Sequence, residues 1–98
     1  MTTTKKAYWM AMVEITDPDA YPAYIAANLA AIAPYGAKLL VRGGRYDQPE
    51  GPTGNRHVLV EFESYEQAIA CYHSPEYQEV VKLRHAASIG KFVIVEGV

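Results

Sequence analysis

The chain carries a single cysteine, Cys71, so no disulfide can form within it. Cysteine poverty of this kind fits a reduced, cytoplasmic protein that is held together by its apolar core. No cluster of basic residues is present: nine Lys and Arg are scattered among eleven Asp and Glu, for a net charge of -2. Nucleic-acid phosphates need a concentrated positive surface, so a nucleic-acid partner is not expected. No apolar run approaches the roughly 20 residues that cross a bilayer, so no membrane partner is expected. The segment Met1 to Lys6 is not followed by the apolar core of a signal peptide, because Trp9 to Val13 is too short. Histidine is scarce as well. His57, His73 and His85 fall on different segments, and no two lie one helical turn apart on a shared face as metal ligands would. The expectation is a protein with no bound metal or organic cofactor; haem would need one of these histidines as its axial ligand.

What is present suits one domain over residues 1–98, with residues 1–6 a tail. Half of the residues are apolar, and a chain of this length buries roughly two thirds of the surface that its unfolded form exposes. A deep pocket would compete with so modest a core, which makes a second copy attractive as a source of cover.

The apolar runs give the order of elements. Tyr8 to Ile15 is apolar on both alternating faces, as a central strand covered on both sides would be. Asp17 and Pro18 signal a helix start, yet Pro22 removes a backbone donor. Either Pro18 begins a separate turn or the regular helix starts near Pro22. From there Tyr21, Ile25, Leu29 and Ile32 form a helical stripe, ended by Pro34-Tyr35-Gly36. Two strands follow, Ala37 to Arg42 and Arg56 to Phe62. The loop between them, residues 43–55, holds four of the seven glycines and two of the six prolines, and is long enough for a lid or a dimer arm. Ser64 and Gln67 have the spacing of a capping box, opening a helix that runs to about Tyr72. Ser74-Pro75 opens another, with the stripe Tyr77, Val80, Val81 and Arg84. Gly90 marks its end or the turn beyond it, and residues 91–96 form the last strand. The order β-α-β-β-α-α-β is a split β-α-β repeated twice. It predicts an α+β, ferredoxin-like sandwich whose four-stranded antiparallel sheet has the first and third strands in the middle. Both of these are apolar on both faces, which points to a homodimer closing over the open face of the sheet.

Several segments have the pattern of one family. They are Ala7-Tyr8-Trp9, Thr16-Asp17-Pro18, Tyr35-Gly36, Val41-Arg42-Gly43-Gly44, Val60-Glu61-Phe62 and Cys71-Tyr72-His73-Ser74-Pro75-Glu76-Tyr77 through Arg84. Together they make the chain resemble the family known as domain of unknown function 1330, over nearly its whole length. The resemblance implies a dimeric α/β barrel, in which two ferredoxin-like sheets pack face to face. Relatives of that architecture include cofactor-free monooxygenases, small lactone isomerases and haem-degrading enzymes. Fold alone does not carry function across.

The candidate site residues are weighed by their surroundings. Glu61 lies within an apolar strand, where desolvation would raise its pKa and suit it to proton transfer. The alternative is a structural carboxylate. Arg42 ends the neighbouring strand and is its natural partner; the pair would hold an anionic substrate or merely fix the hairpin. Gly43-Gly44 would allow close backbone approach to a ligand, or supply positive φ at a strand end. Eight tyrosines against two phenylalanines is an unusual ratio. Tyr24, Tyr72 and Tyr77 on covering helices would line a polar pocket or serve as ordinary core-edge packing. His57 would face that pocket, Ser74 would contribute if it is more than a helix cap, and Arg84 would reach Glu61 or the pocket mouth. The leading expectation is a small-molecule-binding protein, or a cofactor-free enzyme of isomerase or monooxygenase type. In it Glu61 and Arg42 would be catalytic, and Tyr24, His57, Tyr72, Ser74, Tyr77 and Arg84 would bind a small oxygenated compound. The alternative is a non-catalytic ligand-binding or structural homodimer with a buried Arg/Glu network.

Overall fold

The computed structural model describes residues 4–98. Four strands, β1 (Ala7–Ile15), β2 (Lys38–Arg42), β3 (Arg56–Phe62) and β4 (Ser88–Glu96), form one antiparallel sheet in the order β2-β3-β1-β4. Three helices, α1 (Tyr21–Ile32), α2 (Tyr65–Tyr72) and α3 (Pro75–Ala87), cover one of its faces. This is the ferredoxin-like arrangement, with the first and third strands in the middle. The expected tail at residues 1–6 lies partly outside the described residues; Lys6, within them, bonds to Glu61.

The alternation of β1 sets the two faces. Ala7, Trp9, Ala11 and Val13 are buried beneath the helices, whereas Met10, Met12 and Glu14 are exposed on the other side. Trp9 is the centre of the core. Its ring packs against Phe62, Tyr72, Tyr77 and Phe92, and its Nε1 donates to the Ala68 carbonyl at 3.0 Å.

Local signals account for most boundaries. Residues 18–20 make a separate turn, closed by Asp17 Oδ1 accepting from the Ala20 N–H at 3.2 Å, and α1 then begins at Tyr21 with Pro22 in its first turn. Ser64 and Ser74 cap α2 and α3 by accepting from the N–H groups of Gln67 and Tyr77. The expected capping box is only half formed, because the Gln67 amide donates to the Tyr35 carbonyl at 2.6 Å instead of turning back. The chain passes from α3 into β4 without a loop, so β4 starts earlier than expected. Gly90 is a strand residue there, not a helix stop: a Cβ on it would strike the Met12 carbonyl oxygen of the neighbouring strand.

One irregularity bears on function. In the β2–β3 ladder Leu39 opposes Val60, but Val41 opposes Leu59 and Arg42 opposes Val58. The extra residue is a β-bulge at Leu40. It places Leu39 and Arg42, three residues apart, on the same helix-covered side of the sheet.

Candidate functional site

A cavity lies between α1 and the covered face of β1, β2 and β3, with Phe92 of β4 and Arg84 of α3 closing it. The volume open to water in it is about 30 Å³, room for about two water molecules. Trp9, Leu39, Val58 and Phe92 supply apolar wall, and Tyr21, Tyr24 and Asn28 supply polar groups. Three arginines, Arg42, Arg56 and Arg84, converge on it. Among the described residues no carboxylate, histidine, lysine or cysteine lines it.

Each guanidinium is positioned by a different element. Arg42 arrives through the bulge in β2 and is exposed at the mouth. Arg56 opens β3 opposite Val13, on the same side of the sheet as Val58 and Val60. Its Cζ lies 5.6 Å from the Tyr21 ring centroid. It also packs against Gly43, where an added Cβ would come within 2.7 Å of an Arg56 nitrogen. What approaches the Gly43 backbone is thus this side chain. Arg84 is 7% exposed, with its Cζ 4.8 Å from the Phe92 ring centroid and 5.8 Å from that of Tyr24. Among the described residues every ion pair uses a lysine, so all three guanidiniums stand without a carboxylate. Stacking on aromatic rings offsets about 2 kcal/mol of the cost of burying a cation. An unpaired buried charge costs several kcal/mol. The cavity is therefore a positively charged site.

The structure separates the expected pair of Arg42 and Glu61. Glu61 opposes Lys38, not Arg42, and alternation turns it to the open face of the sheet. There it accepts from Tyr8 Oη at 3.3 Å and from Lys6 Nζ at 3.4 Å. A buried Arg/Glu network does not exist among the described residues, and Arg84 reaches the cavity and not Glu61. The hairpin register, which depends on the loop length and the bulge, is what the sequence left open.

Of the other expected site residues, Tyr24 lines the cavity and Tyr77 stands behind it, with their hydroxyls 2.9 Å apart and both rings buried. Tyr72 packs in the aromatic core beside Trp9 and Phe92. Ser74 is a cap whose hydroxyl also donates to the Cys71 carbonyl. His57 faces away from the cavity, on the open side with Leu59, where Nε2 meets Thr53 Oγ1 at 2.8 Å and Tyr46 packs on the ring. Sequence reasoning missed Arg56, Asn28 and Tyr21 as pocket residues. The signal was present for each: Arg56 has the parity of Val58 and Val60, Asn28 is one helical turn from Tyr24, and Tyr21 heads the same stripe.

Burial pushes the pKa values of Tyr77, Tyr24 and Tyr21 above the usual tyrosine range. The cavity tyrosines are therefore neutral hydrogen-bond donors and not bases. Burial also pushes the Cys71 thiol from 9.0 to about 12. These groups lose protons more readily in the unfolded chain. Their stabilising contribution is complete below about pH 9 and is lost as pH rises above the unfolded values toward the folded ones. Thermal melts across that range should show Tm falling above about pH 9. The slope should be shallower in the Tyr24→Phe/Tyr77→Phe double variant, and parallel slopes would mean that the pair titrates normally.

Comparison with known proteins places the chain by fold and family. RPA0582 from Rhodopseudomonas palustris, a protein of unknown function, superimposes with a TM-score of 0.76 at 20% identity, over 96% of this chain and 83% of that one. SnoaB from Streptomyces nogalater, a cofactor-independent oxygenase, gives 0.68 at 11% identity, over 97% and 95% of the two chains. A dimeric protein of unknown function with a ferredoxin-like fold from Bacteroides fragilis gives 0.65 at 14% identity, over 98% and 100%. Likeness at such identities shows the shared fold. No curated protein is a match to this chain. Over residues 6–98 the sequence matches the family described as Domain of unknown function (DUF1330), and the chain belongs to that family.

Proposed function

We propose that this protein is a homodimeric small-molecule-binding protein whose cavity between α1 and the sheet takes a small organic anion. The carrying observation is that three arginines line one cavity that contains no carboxylate. Arg84 supplies a buried, fixed charge, Arg56 stands beside it, and Arg42 at the mouth is free to swing onto the ligand. The guanidinium fork matches a carboxylate in geometry as well as charge. Turnover of the isomerase or monooxygenase type would need a proton acceptor, and the cavity wall offers none. Glu61, the base expected from the sequence, would serve chemistry only on the opposite face.

Titration calorimetry with benzoate tests the reading directly. The wild-type chain should bind, binding should weaken with added salt, and Arg42→Ala should weaken it about tenfold. Because Arg42 is exposed, the Tm of this variant should match that of the wild type. Binding that is indifferent to Arg42 and to salt would refute the anion site.

Support for the dimer comes from the other face of the sheet. Met10, Met12, Val41, Val93 and Val95 are all large, apolar and at least 38% exposed there. Contiguous apolar surface of this kind marks an interaction surface, and one neighbour of the same fold is described as dimeric. Light scattering at micromolar concentration should give twice the chain mass, and Met10→Lys/Val93→Lys should halve it. A wild-type monomer would count against this part of the proposal.

A further inference from the structure

We infer that the compound held in this cavity is a hydroxy-carboxylate, and that Asn28 reads the hydroxyl. The inference rests on the anion reading above and narrows the ligand class. Two buried polar atoms have no hydrogen-bond partner in the protein although their residues line the cavity: Asn28 Oδ1 and Arg56 Nε. Buried polar atoms are nearly always partnered, so two orphans on one cavity define what the missing partner must offer. Arg56 Nε can only donate, and it needs an acceptor such as a carboxylate oxygen. The Asn28 amide presents an acceptor, or a donor if its oxygen and nitrogen are exchanged. A hydroxyl both accepts and donates, so it satisfies Asn28 in either orientation. The water-accessible volume of about 30 Å³ admits only a small head group without side-chain movement. Carboxylate and hydroxyl therefore sit on the same carbon or on neighbouring ones. The carbon body of the ligand then lies along Leu39 and Phe92 toward the mouth, where Arg42 stands.

Matched acids that differ only in the hydroxyl test this: salicylate against benzoate, and lactate against propionate, each titrated into the wild-type chain and Asn28→Leu. The hydroxylated member of each pair should bind wild-type protein about tenfold tighter or more, because the acid without it leaves the buried amide unpaired. Asn28→Leu should bring the ratio to about one. Should the leucine variant not fold, Asn28→Ala makes the same comparison. Equal affinities within each pair in the wild-type chain would overturn the hydroxyl assignment while leaving the anion reading standing. A preference that survives in the Asn28 variants would overturn the role of Asn28. Failure of all four acids to bind would overturn the anion reading and this inference with it.

Discussion

Arg84→Met is expected to abolish binding of a small carboxylate, by about 100-fold or more, while leaving the folded state close to its original stability. The two halves of this result have different origins. Arg84 is almost fully buried, has no carboxylate partner and stacks on Phe92 and Tyr24. Removing the guanidinium takes away the one charge in the cavity that cannot turn to solvent. Deleting a charge-assisted hydrogen bond to a ligand in a buried site costs about 2–3 kcal/mol or more in binding. For folding the balance is different. The substitution gives up about 2 kcal/mol of cation–π stacking and also relieves the chain of an unpaired buried cation, whose cost is of similar or larger size. Methionine fills much the same space and packs well against rings. Chemical denaturation should therefore find a change within about 1 kcal/mol of zero, of either sign. A loss of about 3–5 kcal/mol would show instead that Arg84 is a structural residue with partners of its own.

Trp9→Ala should be the most damaging single change in the chain. Trp9 is 2% exposed, packs against Phe62, Tyr72, Tyr77 and Phe92, and donates its indole N–H to the Ala68 carbonyl of α2. Truncation leaves a large cavity at the centre of the core and deprives that carbonyl of its donor. Losses of about 3–5 kcal/mol are usual for a buried aromatic of this size. Small domains hold only about 5–15 kcal/mol in total, so the variant should lose a large share of its stability. Urea titration followed by circular dichroism reads this, and a midpoint within about 0.3 M of wild type would mean that the core closes around the gap. Trp9→Phe should recover more than half of the loss, since it keeps ring packing and forfeits only the indole hydrogen bond.

The fold was legible in the sequence because its signals are local. The apolar run from Tyr8 to Ile15, the serine caps at Ser64 and Ser74, and the helical stripe from Tyr21 each state their own element, and β-α-β-β-α-α-β admits few topologies. The site was legible only in part, because it depends on which face a strand residue takes. Arg42 and Glu61 sit near the ends of neighbouring runs, and their adjacency looked natural. In fact the pairing is set by a thirteen-residue loop, residues 43–55, and a bulge that no local signal announces. Arg56 was overlooked for the opposite reason. At the start of an apolar strand it reads as a flanking charge, although its parity with Val58 and Val60 placed it under the helices. Asn28 carries no mark in the sequence beyond helical spacing, and its interest appears only when its amide is found buried without a partner.

The bulge at Leu40 makes the spacing of an edge strand into a determinant of charge. Because side chains alternate with period two, regular pairing of β2 past Leu39 without the bulge would set Arg42 opposite His57 and carry that guanidinium across the sheet, from the cavity to the apolar face opposite. Straightening an edge strand is ordinarily among the mildest changes a domain can suffer. In this chain it would subtract a positive charge from the pocket and deposit it among Met10, Met12 and Val93. Under the proposed reading, ligand affinity and the pairing of two copies of the chain are in this way both tied to the bulge at Leu40.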